Sequence, residues 1–321
     1  MSQTTSSRKG LLWEAFSRFP IFPVAYGCWR LNGSEGEAPP ASGDRSGIAA
    51  VHAADDAGFN FFDLADIYGR GESERIFGLA LRQRPGMRDR VVILSKCGIR
   101  PLGSPNPLSP YRYDFSREHI VRSVEGSLRR MGVDTLDVLL LHRPDYLMDP
   151  AEVGAAFDQL REQGKVREFG VSNFRPVQAD LLQKHCPMKL VTHQVQLSLF
   201  HSGVLEDGTM DHCQLKEMTP MAWSPLARGK IGTFSDHGLS EPDFARLSGL
   251  KTALQALGNE LGVTPTLLAL AWLLRHPANV LPIIGTTNPA RIAELAGALR
   301  VTLSREMWYK LLEAGRGTRL P

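Results

Sequence analysis

The chain has 321 residues, of which 43% are hydrophobic and 22% are charged, and its formal net charge at pH 7 is +3. These proportions are ordinary for a globular protein, and they exclude a disordered chain or a strongly basic nucleic-acid-binding protein. No apolar run in the sequence is long enough to span a bilayer, and the first ten residues lack the apolar segment of a secretory signal. We therefore predict a cytoplasmic protein with no membrane partner and no nucleic-acid partner.

The cysteines give no sign of a metal or disulfide framework. The four of them show neither a CxxC motif nor the spacing of a metal site; they are Cys28, Cys97, Cys186 and Cys213. We interpret them as free thiols of a reducing compartment, and we predict no metal.

Apolar, β-branched runs alternate with helical patterns along the chain. Eight runs predict strands, at 24–28, 59–63, 91–96, 136–141, 168–171, 190–195, 220–223 and 280–284. Helical patterns follow them, at 44–57, 72–81, 116–131, 150–163, 176–185, 210–217, 241–261 with 264–275, and 289–299, and a terminal helix is predicted at 304–315. Eight strand-then-helix units predict an α/β fold, a (β/α)₈ TIM barrel with an additional C-terminal helix.

The alternative fold is a doubly wound open sheet, which predicts a phosphate-binding GxGxxG fingerprint after the first strand. That strand is followed by GCWRLNGSEG instead. Because no linker separates the units, residues 21–321 are predicted to form one barrel domain, and residues 1–20 a disordered leader. The Gly/Pro-rich stretches 100–113 and 226–242 are candidate lids.

Reactive side chains fall at the ends of consecutive predicted strands. In such a barrel the chemistry lies at the C-terminal ends of the strands. The second strand ends at Asp63 with Tyr68 in the following loop, the third ends at Lys96, and the fourth is followed by His142. Each residue alone has a structural interpretation: a helix cap, a packing tyrosine, a lysine reaching solvent, a rim histidine. Their meeting on one rim favours catalysis.

These four residue types suit protonation of a developing alkoxide. A free tyrosine has a pKa of about 10, and we expect the Lys96 ammonium to lower the pKa of Tyr68. Asp63 would hold that ammonium in place, and His142 would donate or orient a hydrogen bond to a carbonyl oxygen. The hydride that such chemistry needs must come from a cofactor.

Six segments together resemble the aldo-keto reductases, over about residues 23–299, and within that superfamily the bacterial YdhF-like oxidoreductases; they are GCWRL, FDLADIYG, YDFSREHI, LLLHRPD, REFGVSNF and PMAWSPLARG. The resemblance implies Tyr68 as the general acid and base, with Asp63, Lys96 and His142 completing a catalytic tetrad. It also implies reversible hydride transfer from NADPH, with NADH possible, to a small-molecule carbonyl substrate, either an aldehyde or a ketone.

The resemblance further implies a cofactor site along one side of the barrel mouth. Ser172, Asn173 and Gln194 would bind the nicotinamide carboxamide, and Trp223 would stack on the ring. The pyrophosphate would lie along the segment that follows the predicted strand 220–223. The adenosine phosphate would lie along the segment that follows the last predicted strand, 280–284. The remaining predicted cofactor-binding residues are Gly27, Cys28 and Trp29, then Ser224, Pro225, Leu226 and Arg228, then Gly285, Thr286, Arg291 and Glu294.

Two residues depart from the family pattern in the last of these segments. Gly285 stands where many members carry Lys, and Leu295 stands where they carry Asn. NADPH is still favoured over NADH, because Thr286 and Arg291 remain to meet a 2′-phosphate. A phosphate at the start of the helix predicted at 289–299 would also suit the helix dipole.

Two other functions remain open at this point. A nicotinamide-binding regulatory or sensor subunit with little turnover would keep the cofactor site, although the intact tetrad disfavours it. A non-redox barrel lyase or isomerase would bind no NADPH. The sequence predicts neither the natural substrate nor the oligomeric state.

Overall fold

The computed structural model describes residues 10–17, 20–33, 44–235 and 237–321. The strands in these ranges are β1 (Ala25–Gly27), β2 (Phe61–Asp63), β3 (Val92–Cys97), β4 (Ile99–Arg100), β5 (Arg112–Tyr113), β6 (Leu136–Leu141), β7 (Val166–Ser172), β8 (Leu190–Gln196), β9 (Thr219–Trp223) and β10 (Leu281–Ile284). All but the pair β4–β5 form a closed parallel barrel in the order β1-β2-β3-β6-β7-β8-β9-β10, with β10 returning to β1. The predicted barrel is confirmed, and the open sheet is excluded.

Helices surround the barrel. The α-helices in the same ranges are α1 (Leu11–Ala15), α2 (Asp44–Asp56), α3 (Glu72–Gln83), α4 (Met87–Arg90), α5 (Arg117–Met131), α6 (Pro150–Glu162), α7 (Pro176–Gln183), α8 (Thr209–Leu215), α9 (Lys230–Thr233), α10 (Glu241–Leu261), α11 (Pro265–Leu274), α12 (Pro289–Leu295) and α13 (Arg305–Arg316). The predicted helix at 289–299 is α12 continued by a 3₁₀ turn, Ala296–Arg300.

The barrel interior is filled by apolar side chains, so it is a packed core and not a channel. Its members come from alternating positions of the strands and include Ala25, Phe61, Val92, Leu94, Val138, Leu140, Val191, Met221, Leu281 and Ile283. Since this core is solid, a ligand can enter only at the rim where the strands end.

The N-terminal end of the barrel is covered by α1. Leu12 and Phe16 are buried in the same apolar core, and the Leu11 N–H donates a hydrogen bond to the carbonyl of Glu217, just before β9 begins. The disordered leader predicted for residues 1–20 is therefore wrong for residues 10–17, where buried apolar side chains stabilise a short helix. Residues 1–9 and 18–19 lie outside the described ranges.

The additional C-terminal helix, α13, is fastened to α11 by a pair of tryptophans. The rings of Trp272 and Trp308 stack with centroids 4.9 Å apart, and each indole N–H donates to the backbone carbonyl of the other residue. The buried ring of Trp272 thus packs on the half-buried ring of Trp308 with both indole N–H groups satisfied, which joins α11 to α13. The start of α11 in turn reaches the mouth of the barrel.

The long predicted loop after β3 is not wholly irregular. It contains the antiparallel hairpin β4–β5, in which Ile99 pairs with Tyr113. Its action as a lid stays a prediction, as does that of residues 226–242, where α9 interrupts the predicted loop.

Within the described residues, no single helix is long and apolar enough to cross a membrane. Helices α10 and α11 meet that requirement only together, and they are bent by 91° relative to each other.

Candidate active site

A tight left-handed turn fixes the direction of Tyr68. This residue begins the 3₁₀ turn Tyr68–Gly71, in which Gly69, Arg70 and Gly71 have φ values of 57°, 57° and 94°. A side chain at Gly69 would bring its Cβ within 2.4 Å of the Asn32 amide nitrogen, so only glycine fits there. The turn reverses the chain directly into α3, which leaves the phenol ring at the rim.

Lys96 is the centre of a buried hydrogen-bonded network. Its Nζ donates to Asp63 Oδ2 at 2.9 Å, to the backbone carbonyl of Leu64 at 2.6 Å, and to Tyr68 Oη at 3.0 Å. Since an ammonium has three N–H donors, all of them are used within the protein. The Lys96 side chain is 0% exposed and that of Asp63 5%, so the ion pair is buried.

Gln194 satisfies the second oxygen of the buried carboxylate. Its Nε2 donates to Asp63 Oδ1 at 2.7 Å. The carboxylate therefore accepts from Lys96 on one oxygen and from an amide on the other, which a buried charge requires. Sequence reasoning placed Gln194 at the nicotinamide, and it did not foresee this contact with Asp63.

The predicted direction of the Tyr68 pKa is wrong. Burial of the hydroxyl raises the pKa of Tyr68, and although the Lys96 charge lowers it, the balance lies above the ordinary value of 10.0. Burial alone would lower the pKa of Lys96, but the charge of Asp63 and the bond to Tyr68 raise it above its ordinary value. The resting site therefore holds a neutral phenol beside an ammonium, which is the state needed to give a proton away.

His142 is a neutral imidazole at the same rim. Its backbone N–H donates to the carbonyl of Cys97 at 2.9 Å, which extends the β3–β6 pairing by one residue. Burial, followed by the charges of Lys96 and Arg143, lowers the pKa of His142 well below its usual value. The rings of His142 and Tyr68 meet edge to face with centroids 5.8 Å apart. Since Nδ1 is buried, the Nε2 edge is the one available to a ligand.

Asn173 ties the rim of the barrel together across three strands. Its Nδ2 donates to the His142 carbonyl at 3.2 Å and to Ser172 Oγ at 2.8 Å, and its Oδ1 accepts from Trp223 Nε1 at 2.9 Å. Asn173 adopts a left-handed φ of 60°, which asparagine tolerates better than most residues. The indole of Trp223 is thereby held in a fixed position relative to His142.

A single cavity of about 840 Å³ joins the tetrad to the segment after β10. This volume lies in the range of about 300–1,000 Å³ that is typical for sites of small molecules and cofactors. Asp63, Tyr68 and His142 line one end of it. The predicted cofactor-binding residues that line it are Gly27, Trp29, Ser172, Asn173, Gln194, Trp223, Ser224, Pro225, Leu226, Arg228, Gly285, Thr286, Arg291 and Glu294.

Cys28 is the one predicted cofactor-binding residue that the cavity does not reach. Its side chain is fully buried in the apolar core between the barrel and the helices. Contact of the Cys28 side chain with the cofactor is therefore not supported, whereas its neighbours Gly27 and Trp29 border the cavity.

The loop after β9 is strained where it borders the cavity. Ser224, Ala227 and Arg228 all have left-handed φ values, of 52°, 49° and 57°. Such conformations cost about 1–3 kcal/mol each, and they concentrate at ligand-binding sites. Turns of this kind also direct backbone N–H groups into a shared concavity that suits phosphate oxygens.

The far end of the cavity carries exposed positive charge. Arg228 and Arg291 both line it, and both are exposed. The Asn288 side chain accepts from the N–H groups of Ala290 and Arg291, so these backbone donors at the start of α12 are already used. The predicted favourable effect of the α12 dipole on a phosphate stays a prediction.

Several cavity residues were missed by sequence reasoning. They come from the segments that follow four of the barrel strands and from the start of α11, and they are Arg30, Ile67, Ile99, Tyr111, Arg143, Thr264 and Thr266. Arg143 had the clearest signal, since it directly follows a predicted site histidine. Thr264 had none, because it caps α11, whose position only the tertiary structure gives. Its hydroxyl donates to Glu294 at 2.8 Å.

Asp66, two residues before Tyr68, is a half-buried acid whose Oδ1 atom is buried. Burial, with the charge of Glu74, raises the pKa of Asp66 from 3.8 to about 7. Glu74 itself is fully buried and is paired with Arg130 and with the Ser95 hydroxyl. The Asp66 backbone N–H donates to the Lys96 carbonyl, so Asp66 and Glu74 adjoin the hydrogen-bonded network of Lys96.

We expect Asp66→Asn to remove a pH dependence of stability. Because the folded state holds the proton more tightly than the unfolded state, the stabilisation by protonated Asp66 is complete below pH 4 and is lost as the pH rises through about 7. The variant should therefore unfold at a higher temperature than the parent protein at about pH 8 and at a similar temperature at about pH 4. Thermal unfolding at both pH values measures this, with Asp158→Asn, on an exposed face of α6, as the control. Equal pH dependence in parent and variant would contradict it.

Comparison with known proteins places this geometry in a family. The sequence matches the model of the Aldo/keto reductase family over residues 23–315. It is 43% identical over 289 residues to the 6-dehydroglucose reductase of Agrobacterium fabrum, which covers 90% of this chain and 92% of that protein. It is 38% identical over 308 residues to oxidoreductase YdhF of Escherichia coli, which covers 95% of this chain and 96% of the relative. The predicted resemblance is confirmed.

A solved structure leads to the same family. The aldo/keto reductase of Klebsiella pneumoniae, solved in complex with NADP and acetate, superposes with a TM-score of 0.71 at 28% identity, over 94% of this chain and 93% of that one. With a family model that spans residues 23–315 and relatives that match almost end to end, the chain belongs to the aldo/keto reductase family.

Proposed function

We propose that this protein is an NADPH-dependent oxidoreductase that reversibly reduces aldehydes or ketones to alcohols, with the proton supplied by Tyr68. The observation that carries the proposal is the bond from Lys96 Nζ to Tyr68 Oη, within a buried network that opens on the cavity. A phenol is ordinarily a weak acid. The neighbouring Lys96 ammonium would stabilise the phenolate that forms when Tyr68 gives up its proton.

The direction of the Tyr68 proton follows from the donors around it. Because the Tyr68 oxygen already accepts a bond from Lys96, its own O–H is left to donate elsewhere. The residue lines the cavity, so a carbonyl oxygen placed there can accept that hydrogen bond. When the proton leaves, the phenolate is stabilised by the ammonium of Lys96, which stays charged through its pairing with Asp63.

His142 orients the substrate without competing for its proton. A neutral His142 imidazole offers one N–H donor and does not repel the Lys96 ammonium. A charged imidazole would be repelled by that ammonium. The Nε2–H and the Tyr68 hydroxyl together provide two donors for one carbonyl oxygen, the arrangement that stabilises a developing alkoxide.

The cavity fits a nicotinamide dinucleotide phosphate. It runs from the tetrad past Trp223 and the strained loop after β9 to Arg291, so aromatic, backbone and guanidinium groups follow one another along it. Bound NADPH supplies the hydride. The residues that would hold it are those predicted from sequence apart from Cys28, with Trp223 at the ring and Arg228 and Arg291 at the phosphates.

Arg291→Ala should weaken binding of NADPH far more than binding of NADH. The charge-assisted bonds of a guanidinium to a phosphate are worth about 1.5–3 kcal/mol, so the NADPH Kd should rise by about 10- to 150-fold. NADH lacks the 2′-phosphate, so its Kd is the internal control and should change by less than about threefold. Titration of intrinsic tryptophan fluorescence with each dinucleotide measures both constants. A parallel loss for the two would show that Arg291 does not bind the 2′-phosphate.

The relatives direct the choice of substrates to sugar-like aldehydes. Two 6-dehydroglucose reductases are 43% and 39% identical to this chain over at least nine-tenths of its length. We propose polyhydroxylated aldehydes as the first compounds to offer, with simple aliphatic aldehydes beside them.

A two-stage assay tests the proposed function. Fluorescence titration with NADPH comes first, and the decay of absorbance at 340 nm with each aldehyde follows on the same sample. Tight binding with decay supports a reductase. Binding without decay for every aldehyde would favour the regulatory subunit, and absence of binding would remove the cofactor assignment.

A further inference from the structure

The cavity contains a guanidinium, that of Arg143, that has no hydrogen-bond acceptor among the described residues and no assigned part in the proposed cofactor site. Arg143 directly follows His142, lines the cavity beside it, and is half-buried. Most arginines near buried acids in this protein are paired, as Arg88 is with Asp137 and Arg130 with Glu74. Over residues 10–17, 20–33, 44–235 and 237–321, by contrast, no carboxylate or other acceptor bonds to Arg143. Its N–H donors therefore remain available to a ligand.

The guanidinium of Arg143 contacts an aromatic ring although it lacks a hydrogen-bond acceptor. Its Cζ lies 5.7 Å from the centroid of the Trp223 ring, within the distance of a cation–π contact. Trp223 is held by its bond to Asn173, and Asn173 in turn is bonded to the carbonyl of His142. Trp223 and Asn173 thus connect the Arg143 guanidinium to His142, the residue proposed to orient the carbonyl oxygen. The N–H donors of Arg143 are therefore pre-organised relative to the reacting atoms.

The phosphates of the proposed cofactor have other partners on the opposite side of the barrel. In the order β1-β2-β3-β6-β7-β8-β9-β10, the strand that precedes Arg143 lies four places from β10, which precedes Arg291. In an eight-stranded barrel, four places is the full diameter. Arg143 therefore belongs to the tetrad end of the cavity, where the substrate must lie.

The positive charge of Arg143 at the tetrad end of the cavity also has no carboxylate partner among the described residues. The Asp63 carboxylate lines the cavity but is fully engaged by Lys96 and Gln194. Arg143 is close enough to His142 for its charge to help keep the imidazole neutral. A planar guanidinium with parallel N–H groups fits two adjacent oxygen atoms better than one.

We propose that Arg143 is the specificity-determining residue of the substrate site, and that it binds two neighbouring oxygen atoms of the substrate within a few bonds of the reacting carbonyl. The substrate class is thus an oxygen-rich aldehyde or ketone, whose paired acceptors are either vicinal hydroxyls or a carboxylate. This inference rests on the proposed reductase function.

Two matched pairs of aldehydes separate the inference from that function. Propanal and D-glyceraldehyde differ by two hydroxyls, and butanal and succinic semialdehyde differ by a carboxylate. Steady-state kcat/KM with NADPH is measured for all four, in the parent protein and in Arg143→Met, Arg143→Lys and the control Arg122→Met. Arg122 is an exposed arginine on α5 outside the cavity. Comparing variant with parent on the same aldehyde cancels the fraction that is hydrated.

The expected result is selective loss. Arg143→Met should lower kcat/KM for one or both oxygen-bearing aldehydes by about 10- to 100-fold more than for their plain partners. A loss confined to glyceraldehyde identifies vicinal hydroxyls as the acceptor, and a loss confined to succinic semialdehyde identifies the carboxylate. Arg143→Lys, which keeps the charge but not the planar fork, should recover more with the carboxylate than with the hydroxyls.

Three results would overturn the inference, each in a distinct way. Equal losses for all four aldehydes, with a raised NADPH Kd, would mean that Arg143 only supports Trp223. Unchanged kcat/KM for all four would mean that it contacts no substrate. Absence of turnover of any aldehyde by the parent protein would remove the reductase function and this inference with it, whereas turnover of propanal and butanal without the selective loss would remove the inference alone.

Discussion

Tyr68→Phe is expected to lower kcat for carbonyl reduction by about 10²- to 10⁴-fold, the range for loss of a general acid. The phenylalanine ring keeps the contact with His142 but removes the hydroxyl that accepts from Lys96 and donates into the cavity. The NADPH Kd should change by less than about threefold, because the tyrosine lies at the end of the cavity away from Arg228 and Arg291. Stopped-flow or steady-state decay at 340 nm gives kcat, and fluorescence titration gives Kd.

The matched control for this experiment is Tyr113→Phe. Tyr113 lies on β5, close to the rim but outside the cavity lining. It should keep the parent kcat. Full turnover by Tyr68→Phe would remove that residue from the role of acid, and equal losses in both variants would indicate a general effect of the substitution.

Lys96→Met should both abolish most turnover and destabilise the fold. Removal of the ammonium leaves Asp63 buried with a single bond from Gln194, and leaves the Leu64 carbonyl without its donor. An uncompensated buried charge costs about 3–5 kcal/mol in the free energy of unfolding. Without the neighbouring positive charge the Tyr68 phenolate also loses its stabilisation, so kcat should fall by at least about 10²-fold. Urea unfolding and the 340 nm assay measure the two effects.

A double variant separates the two effects. Asp63→Asn combined with Lys96→Met removes both charges and should regain part of the lost stability, since no unpaired charge is left buried. It should not regain turnover, because the phenolate still lacks its cation. Recovery of turnover in the double variant would show that Lys96 acts only by balancing Asp63.

The arrangement of strands was predictable because each strand carries its own signal. The run Phe59–Phe62 and the segment VVILSK are apolar over their whole length, as strands with two covered faces require. Once eight such units alternate with helices, the barrel rule brings Asp63, Lys96 and His142 to one rim. The contact of Lys96 with Tyr68 also depends on the left-handed turn Tyr68–Gly71, which the glycines at 69 and 71 indicate only in part.

Features that depend on burial or on distant contacts were not predictable in this way. The Tyr68 pKa is set by the competition between burial and the Lys96 charge, and only the structure shows that burial is larger. The helix Leu11–Ala15 forms because Leu12 packs into the barrel core. A five-residue, mostly apolar segment after a polar N-terminus does not by itself predict this contact. The alignment of Arg143 with Trp223 joins residues eighty positions apart, through loops whose courses no local pattern gives.

The most direct test of the proposed function measures the transfer of deuterium from the cofactor to the product, and not a reaction rate. NADPH deuterated at C4 of the nicotinamide, on each face in turn, is incubated with the protein and glyceraldehyde, and the alcohol product is analysed by mass spectrometry and NMR. With one of the two labelled faces, we expect deuterium on the carbon that was the carbonyl. In a separate incubation with unlabelled NADPH in heavy water, deuterium should enter only the exchangeable hydroxyl. Alcohol that carries no deuterium from either labelled face, or no alcohol at all, would contradict the assignment of this protein as an NADPH-dependent carbonyl reductase.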